Sequence, residues 1–165
     1  MNITLIGMPG SGKTTIGRML SEKLSWKFLD LDEMIKEKTG KYVSEILKEK
    51  GDEEVIRIEN ELTLAINFAD TVFSPGGSIV YSPEAMKKLQ LSTTIIYLQT
   101  SLEEIKKRFG ENKNNERGIV GWDSKGIEKL FEERSKLHRK YAEYTVDTYD
   151  KSPEEIAEEI IKRIS

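Results

Sequence analysis

The chain contains no cysteine, which removes disulfides, thiolate nucleophiles and cysteine-ligated metal from consideration. It has one histidine, His138, too few for a multi-histidine metal site, so any metal must be held by oxygen. It also lacks a basic surplus: 26 Lys and Arg against 29 Asp and Glu leave a formal net charge of −3, which argues against a broad nucleic-acid footprint. No apolar run approaches the roughly 20 residues of a membrane span, and a strand pattern begins at once, leaving no room for a signal peptide. The expectation is a cytoplasmic protein that meets neither nucleic acid nor membrane. Its 165 residues suit one domain, 1–165, with a core large enough to need no staples. No repeat, low-complexity tract or linker divides it, and a monomer is expected.

What the chain does carry is a glycine loop, Gly7-Met8-Pro9-Gly10-Ser11-Gly12-Lys13-Thr14, placed between the apolar run Ile3-Thr4-Leu5-Ile6 and a helical pattern from Thr15. This strand, loop and helix fit G-x-x-x-x-G-K-[ST] in the context that phosphate binding requires. Glycines let backbone N–H groups turn onto phosphate oxygens, and the helix N-terminus adds positive partial charge. Gly10, Ser11, Gly12, Lys13, Thr14 and Thr15 are therefore the candidate ATP contacts. Lys13 would reach the β- and γ-phosphates, and the Thr14 hydroxyl would ligate the Mg²⁺ between them.

Downstream, Trp26-Lys27-Phe28-Leu29 reads as a second strand running into Asp30-Leu31-Asp32, at the edge where parallel α/β sheets collect ligands. Two carboxylates one strand residue apart point to the same side, one suited to the metal shell and one to an acceptor hydroxyl; Asp32 as a helix cap is the plainer alternative. A long helix is expected over 53–68, where Arg57 and Glu59 fit either a solvated pair or a substrate role. Strands are also expected at 71–74, ending in Pro75-Gly76-Gly77-Ser78, at 93–98 and at 144–147, with helices at 82–89, 102–109, 124–142 and from Ser152-Pro153. Gly76-Gly77 suits close approach of a ligand, or a tight turn. The polar stretch 110–122 fits a plain connection, or a lid that excludes water and carries Arg117 to the transferred phosphate. Strands alternating with helices make a three-layer, doubly wound, parallel α/β sheet.

Taken in this order, the motifs resemble those of the shikimate kinase family, a branch of the nucleoside-monophosphate-kinase-like P-loop folds. The resemblance spans nearly the whole chain: the P-loop, Asp30-Leu31-Asp32, the Gly51 to Glu59 segment, Gly76-Gly77, Arg117, and Glu133-Arg134 leading to Val146-Asp147-Thr148. It implies a five-stranded sheet ordered 2-3-1-4-5, a substrate-binding helical region at about 31–60, a lid at about 110–122, and transfer of the ATP γ-phosphate to the 3-hydroxyl of shikimate. Carried over, it gives catalytic roles to Lys13, Asp32 and Arg117, and the metal's water shell to Asp30 beside Thr14. Adenine contacts fall to Arg108 and the turn at Lys151, and the substrate carboxylate to Arg134. Gly76 and Gly77 line the acceptor pocket.

Departures from the family pattern gather on the acceptor side. Where the family has Phe-Arg-x-x-Glu, this chain has Val55-Ile56-Arg57-Ile58-Glu59, so the second arginine clamp on the carboxylate is absent at Ile56. Arg57 is about 100° further around the helix and would replace it only after a rotation or register shift. The third glycine of the substrate loop is Ser78, the lid reads Arg117-Gly118-Ile119-Val120, and His138 stands where tyrosine is common. Shikimate is the leading acceptor, another small polyol or hydroxy acid is the second reading, and a non-catalytic ATP-binding module is the third.

Overall fold

The computed structural model describes residues 1–110 and 115–165. Its centre is a parallel sheet of β1 (Asn2–Ile6), β2 (Lys27–Asp30), β3 (Thr71–Ser74), β4 (Thr94–Gln99) and β5 (Tyr144–Asp147), ordered β2-β3-β1-β4-β5 as expected. The strands are apolar on both faces because helices cover both. In β4, Ile96 and Leu98 join Ile3 and Leu5 of β1 against Ile16 and Leu20 of α1 (Lys13–Leu24) and Ile156 and Ile160 of α8 (Pro153–Ile164). Ile95 and Tyr97 face the other way, toward Leu31 and Ile35 of α2 (Leu31–Thr39), Ile46 of α3 (Val43–Lys50), Val55, Ile58 and Leu62 of α4 (Asp52–Ala65), and Met86 and Leu89 of α5 (Pro83–Ser92). The strict period of two along β4 thus divides the core into two layers.

A third apolar cluster ties the phosphate loop to the lid side. Met8 packs with Ile105 and Phe109 of α6 (Leu102–Phe109), with Ile119, and with Ile127 and Leu130 of α7 (Trp122–Tyr141). The helix α8 begins as its sequence predicts: Ser152 accepts from the Glu155 N–H at 3.2 Å, the Glu155 side chain accepts from the Ser152 N–H at 2.7 Å, and Pro153 fills the first turn.

Several boundaries differ from expectation. β2 ends at Asp30 and α2 starts at Leu31, so Asp30, not Asp32, is the N-cap; its Oδ1 accepts from the N–H groups of Asp32 at 2.9 Å and Glu33 at 3.4 Å. Asp32 therefore lies in the first turn of a helix and not on a strand. α4 stops at Ala65, and its last carbonyls are taken by Lys88, whose Nζ donates to Leu64 O at 2.5 Å and Ile66 O at 2.6 Å. The substrate-loop glycines open a short 3₁₀ turn, Gly77–Tyr81, that periodicity did not reveal. Residues 111–114 of the expected lid lie outside the described residues.

His138 is wholly buried on α7, stacked on Tyr97 with ring centroids 4.9 Å apart and no hydrogen-bond partner on either ring nitrogen. Burial pulls its pKa down to about 3, helped by the positive charges of Lys13, Arg134 and Arg139. Above pH ~6.5 the imidazole is neutral folded or unfolded; below it the unfolded chain takes the proton first, so stability falls as pH drops from there toward 3. Each unit is worth about 1.4 kcal/mol. Unfolding midpoints measured at pH 7.5 and 5.0 should therefore separate less in His138→Phe than in the wild type.

Candidate active site

The phosphate loop joins β1 to α1, and its last glycine, Gly12, holds the left-handed φ of +91° needed to start the helix directly on Lys13. Lys13 is 9% exposed and curls back, its Nζ donating to Gly7 O at 3.0 Å and Met8 O at 2.9 Å. Burial lowers its pKa to about 8, against the pull of Asp32 and Asp30, while Arg134 pushes the same way as burial. A cation so placed is poorly solvated and well suited to trading two carbonyls for phosphate oxygens.

Thr14, next in the helix, donates its hydroxyl to Asp30 Oδ2 at 2.9 Å. One Asp30 oxygen thus caps α2 while the other meets Thr14, giving an all-oxygen pair of the kind a hard divalent cation takes. Asp32 stands two residues on, in the first turn of α2. Its pKa is raised by burial first and by the neighbouring Asp30 second, with Lys13 opposing. Despite the mistaken strand assignment, both acids face one cleft of about 440 Å³ that also takes in Pro9, Gly12, Lys13, Thr14, Thr15, Gly76, Gly77 and Arg117.

Gly77 is a glycine of necessity: a Cβ there would stand 2.7 Å from Arg134 Nη1 and 3.0 Å from Pro9 Cδ. Arg134 itself is 1% exposed, donates through Nη2 to Val120 O at 2.7 Å, and lies with its guanidinium carbon 5.4 Å from the Tyr81 ring centroid. It forms a buried positive wall behind Gly77. The Arg117 guanidinium carbon lies over the Phe109 ring, 4.7 Å from its centroid, and Arg117 donates to Arg108 O at 2.9 Å. Arg108 in turn donates to Gly10 O at 2.5 Å. On the other side, Gly118 (φ +66°) rests on Ser44, where a Cβ would stand 2.7 Å from the backbone nitrogen, and the Gly121 N–H donates to Asp52 Oδ1 at 3.2 Å. The described part of the lid thus touches both the phosphate loop's supports and the helices α3 and α4.

Lys151 lies apart, paired with Glu159 at 2.8 Å. With Arg108, Thr100, Thr148 and Ser152 it lines a second cleft of about 850 Å³.

Arg57 requires correction. Its side chain is 58% exposed and bonds Glu54 and Glu61, each at 2.9 Å, three residues back and four ahead on the outer face of α4. The inward stripe is Val55, Ile58, Glu59 and Leu62, and residue 57 lies about 200° around the helix from residue 59. It does not replace the missing clamp.

Sequence reasoning named Glu59, as a solvated partner of Arg57 or a substrate contact, and Ser78, as a changed glycine, but not the contact between them; nor is Glu59 solvated. Glu59 is 2% exposed, its Oε2 lies 2.7 Å from where a Cβ on Gly76 would stand, and Ser78 donates a very short hydrogen bond to its other oxygen. Burial lifts its pKa to about 7; Asp32 adds to the rise, while the Ser78 hydrogen bond and Arg134 resist it. The available signal was a carboxylate falling on an otherwise apolar helical stripe.

A sequence profile described as "Shikimate kinase" matches residues 9–165. The shikimate kinase of Enterococcus faecalis is 37% identical over 99% of this chain and 98% of its own length, and that of Persephonella marina 35% identical over 99% and 98%. Among solved structures, the shikimate kinase from Acinetobacter baumannii in complex with shikimate superimposes with a TM-score of 0.86 at 30% identity, over 99% of this chain and 92% of that one. A gluconokinase from Sinorhizobium meliloti, 16% identical with a TM-score of 0.58, shares the fold alone. On profile, identity and coverage together, this chain belongs to the shikimate kinase family.

Proposed function

We propose that this protein transfers the γ-phosphate of ATP to the 3-hydroxyl of shikimate. The observation that carries the reading is the shared cleft, which puts the phosphate loop's Lys13 and Thr14 opposite Asp32, Gly76 and Gly77. Bound there, Mg²⁺ would supply positive charge to the phosphates, and Thr14 with Asp30 are the residues that would hold it. Lys13 neutralises charge on the transferred group, and Arg117 meets it from the lid. Asp32, made more basic by burial, orients the acceptor hydroxyl and takes its proton. Arg134 receives the acceptor's carboxylate, a task that suits its planar fork. The base of ATP lies against Arg108 and Lys151 in the second cleft. Most of the rate comes from positioning and electrostatics. Action as a monomer in the cytoplasm, where ATP and Mg²⁺ are at hand, is part of the proposal; no helix among the described residues is long and apolar enough to cross a membrane.

One observation favours a second acceptor: Arg57 is turned outward and Ile56 is apolar, so α4 offers no cation to a carboxylate and Arg134 receives it without that second clamp. A coupled ADP-release assay over shikimate and a panel of polyols and sugar acids decides. Shikimate should be turned over fastest, and chelation with EDTA should abolish the signal. Good turnover of another compound with none of shikimate would overturn the assignment of the acceptor.

A further inference from the structure

Glu59 is a buried carboxylate with almost nothing to hold it. No cation lies within ion-pair distance of it among the described residues, and its one hydrogen-bond donor there is the Ser78 hydroxyl, on Oε1. Oε2 has no such donor and lies at Gly76, where Asp32 Oδ1 also lies, 3.8 Å from the point a Cβ would occupy. Buried carboxylates are seldom left half satisfied unless something else completes them. Ser78 is itself 6% exposed in the wall of the cleft, and among the described residues its hydroxyl bonds Glu59 alone.

We propose that Ser78 is a positioning residue for the acceptor: its hydroxyl locks the Glu59 carboxylate so that Oε2 receives a hydrogen bond from a second, non-reacting hydroxyl of the substrate. Asp32 and Glu59 then grip two hydroxyls of one polyol across Gly76. Because a donated hydrogen bond favours the ionised carboxylate, Ser78 also keeps Glu59 charged against the burial and the Asp32 charge that oppose it, with Arg134 on α7 assisting.

This inference rests on the proposed acceptor, and the experiment separates the two. Steady-state kinetics with ATP and shikimate are run on the wild type, Ser78→Ala, Ser78→Thr and Glu59→Gln, across pH 5.5–9. In Ser78→Ala the shikimate KM should rise about tenfold, more than kcat falls, with the ATP KM little moved. The acid limb of kcat/KM for shikimate should shift upward by about one pH unit, return toward the wild-type position in Ser78→Thr, and in Glu59→Gln fall back to the limb that Asp32 alone sets. Unfolding midpoints check that the variants remain folded. A wild type inactive on shikimate overturns the proposed function. A wild type active on shikimate, with a Ser78→Ala variant that matches it in KM and acid limb or loses both KM values and kcat alike, overturns the role of Ser78 alone.

Discussion

Asp32→Asn should lower kcat by about two to four orders of magnitude while leaving ATP affinity within a factor of about two. The residue is exposed to solvent at the mouth of the cleft, yet its carboxylate is crowded by the cleft walls and by Asp30, so its proton affinity is raised above that of an ordinary aspartate. An asparagine keeps the shape and the place but cannot accept the hydroxyl proton. The phosphate loop does not depend on it: Lys13 is held by Gly7 O and Met8 O, and Thr14 by Asp30. Asp32 raises the Lys13 pKa, so the variant should also lose its Lys13 proton at lower pH, drawing in the alkaline limb of ATP binding. Isothermal titration with a non-hydrolysable ATP analogue and stopped-time product assays read the two effects separately. Equal loss of binding and turnover, or loss of neither, would remove Asp32 from the chemistry and revive the reading of a nucleotide-binding module.

The second large effect belongs to Arg134. Arg134→Met should raise the shikimate KM by about a hundredfold, since truncating one side of a desolvated charged contact costs on the order of 2–5 kcal/mol. The guanidinium is almost fully buried, faces Gly77 through Nη1 and is fixed by Val120 O, so water cannot easily take its place. Arg134→Lys should recover little, because a lysine offers neither the planar fork nor the simultaneous reach to Val120. The informative control is an acceptor without a carboxylate: if Arg134 recognises that group, the variant turns such a compound over no worse than the wild type does. A Met variant with an unchanged shikimate KM would sink the assignment.

How far the sequence could be read depended on whether a signal was local. The glycine loop, its flanking elements and the alternation of strands and helices are contiguous in the chain, and the sheet order followed from the family they resemble. Asp30 and Asp32 were found together, but the helix cap offered to Asp32 falls to Asp30, because α2 begins at Leu31, two residues before the expected start. Arg57 failed for a different reason. Its partners Glu54 and Glu61 lie on its own helix, and an exposed three-way ion pair outcompetes any turn toward a cleft on the far face. The pairing of Glu59 with Ser78 was missed because they meet only through the fold, nineteen residues apart in sequence.

The two clefts share no lining residue among those described; they are joined at Arg108, which lines one and meets Gly10 and Arg117 of the other. Under the proposed function, donor and acceptor specificity are therefore inherited on separate stretches of chain. Drift at Ile56 and Ser78 can retune which alcohol enters without disturbing which nucleotide arrives, and such a scaffold changes one half of its bisubstrate repertoire at a time.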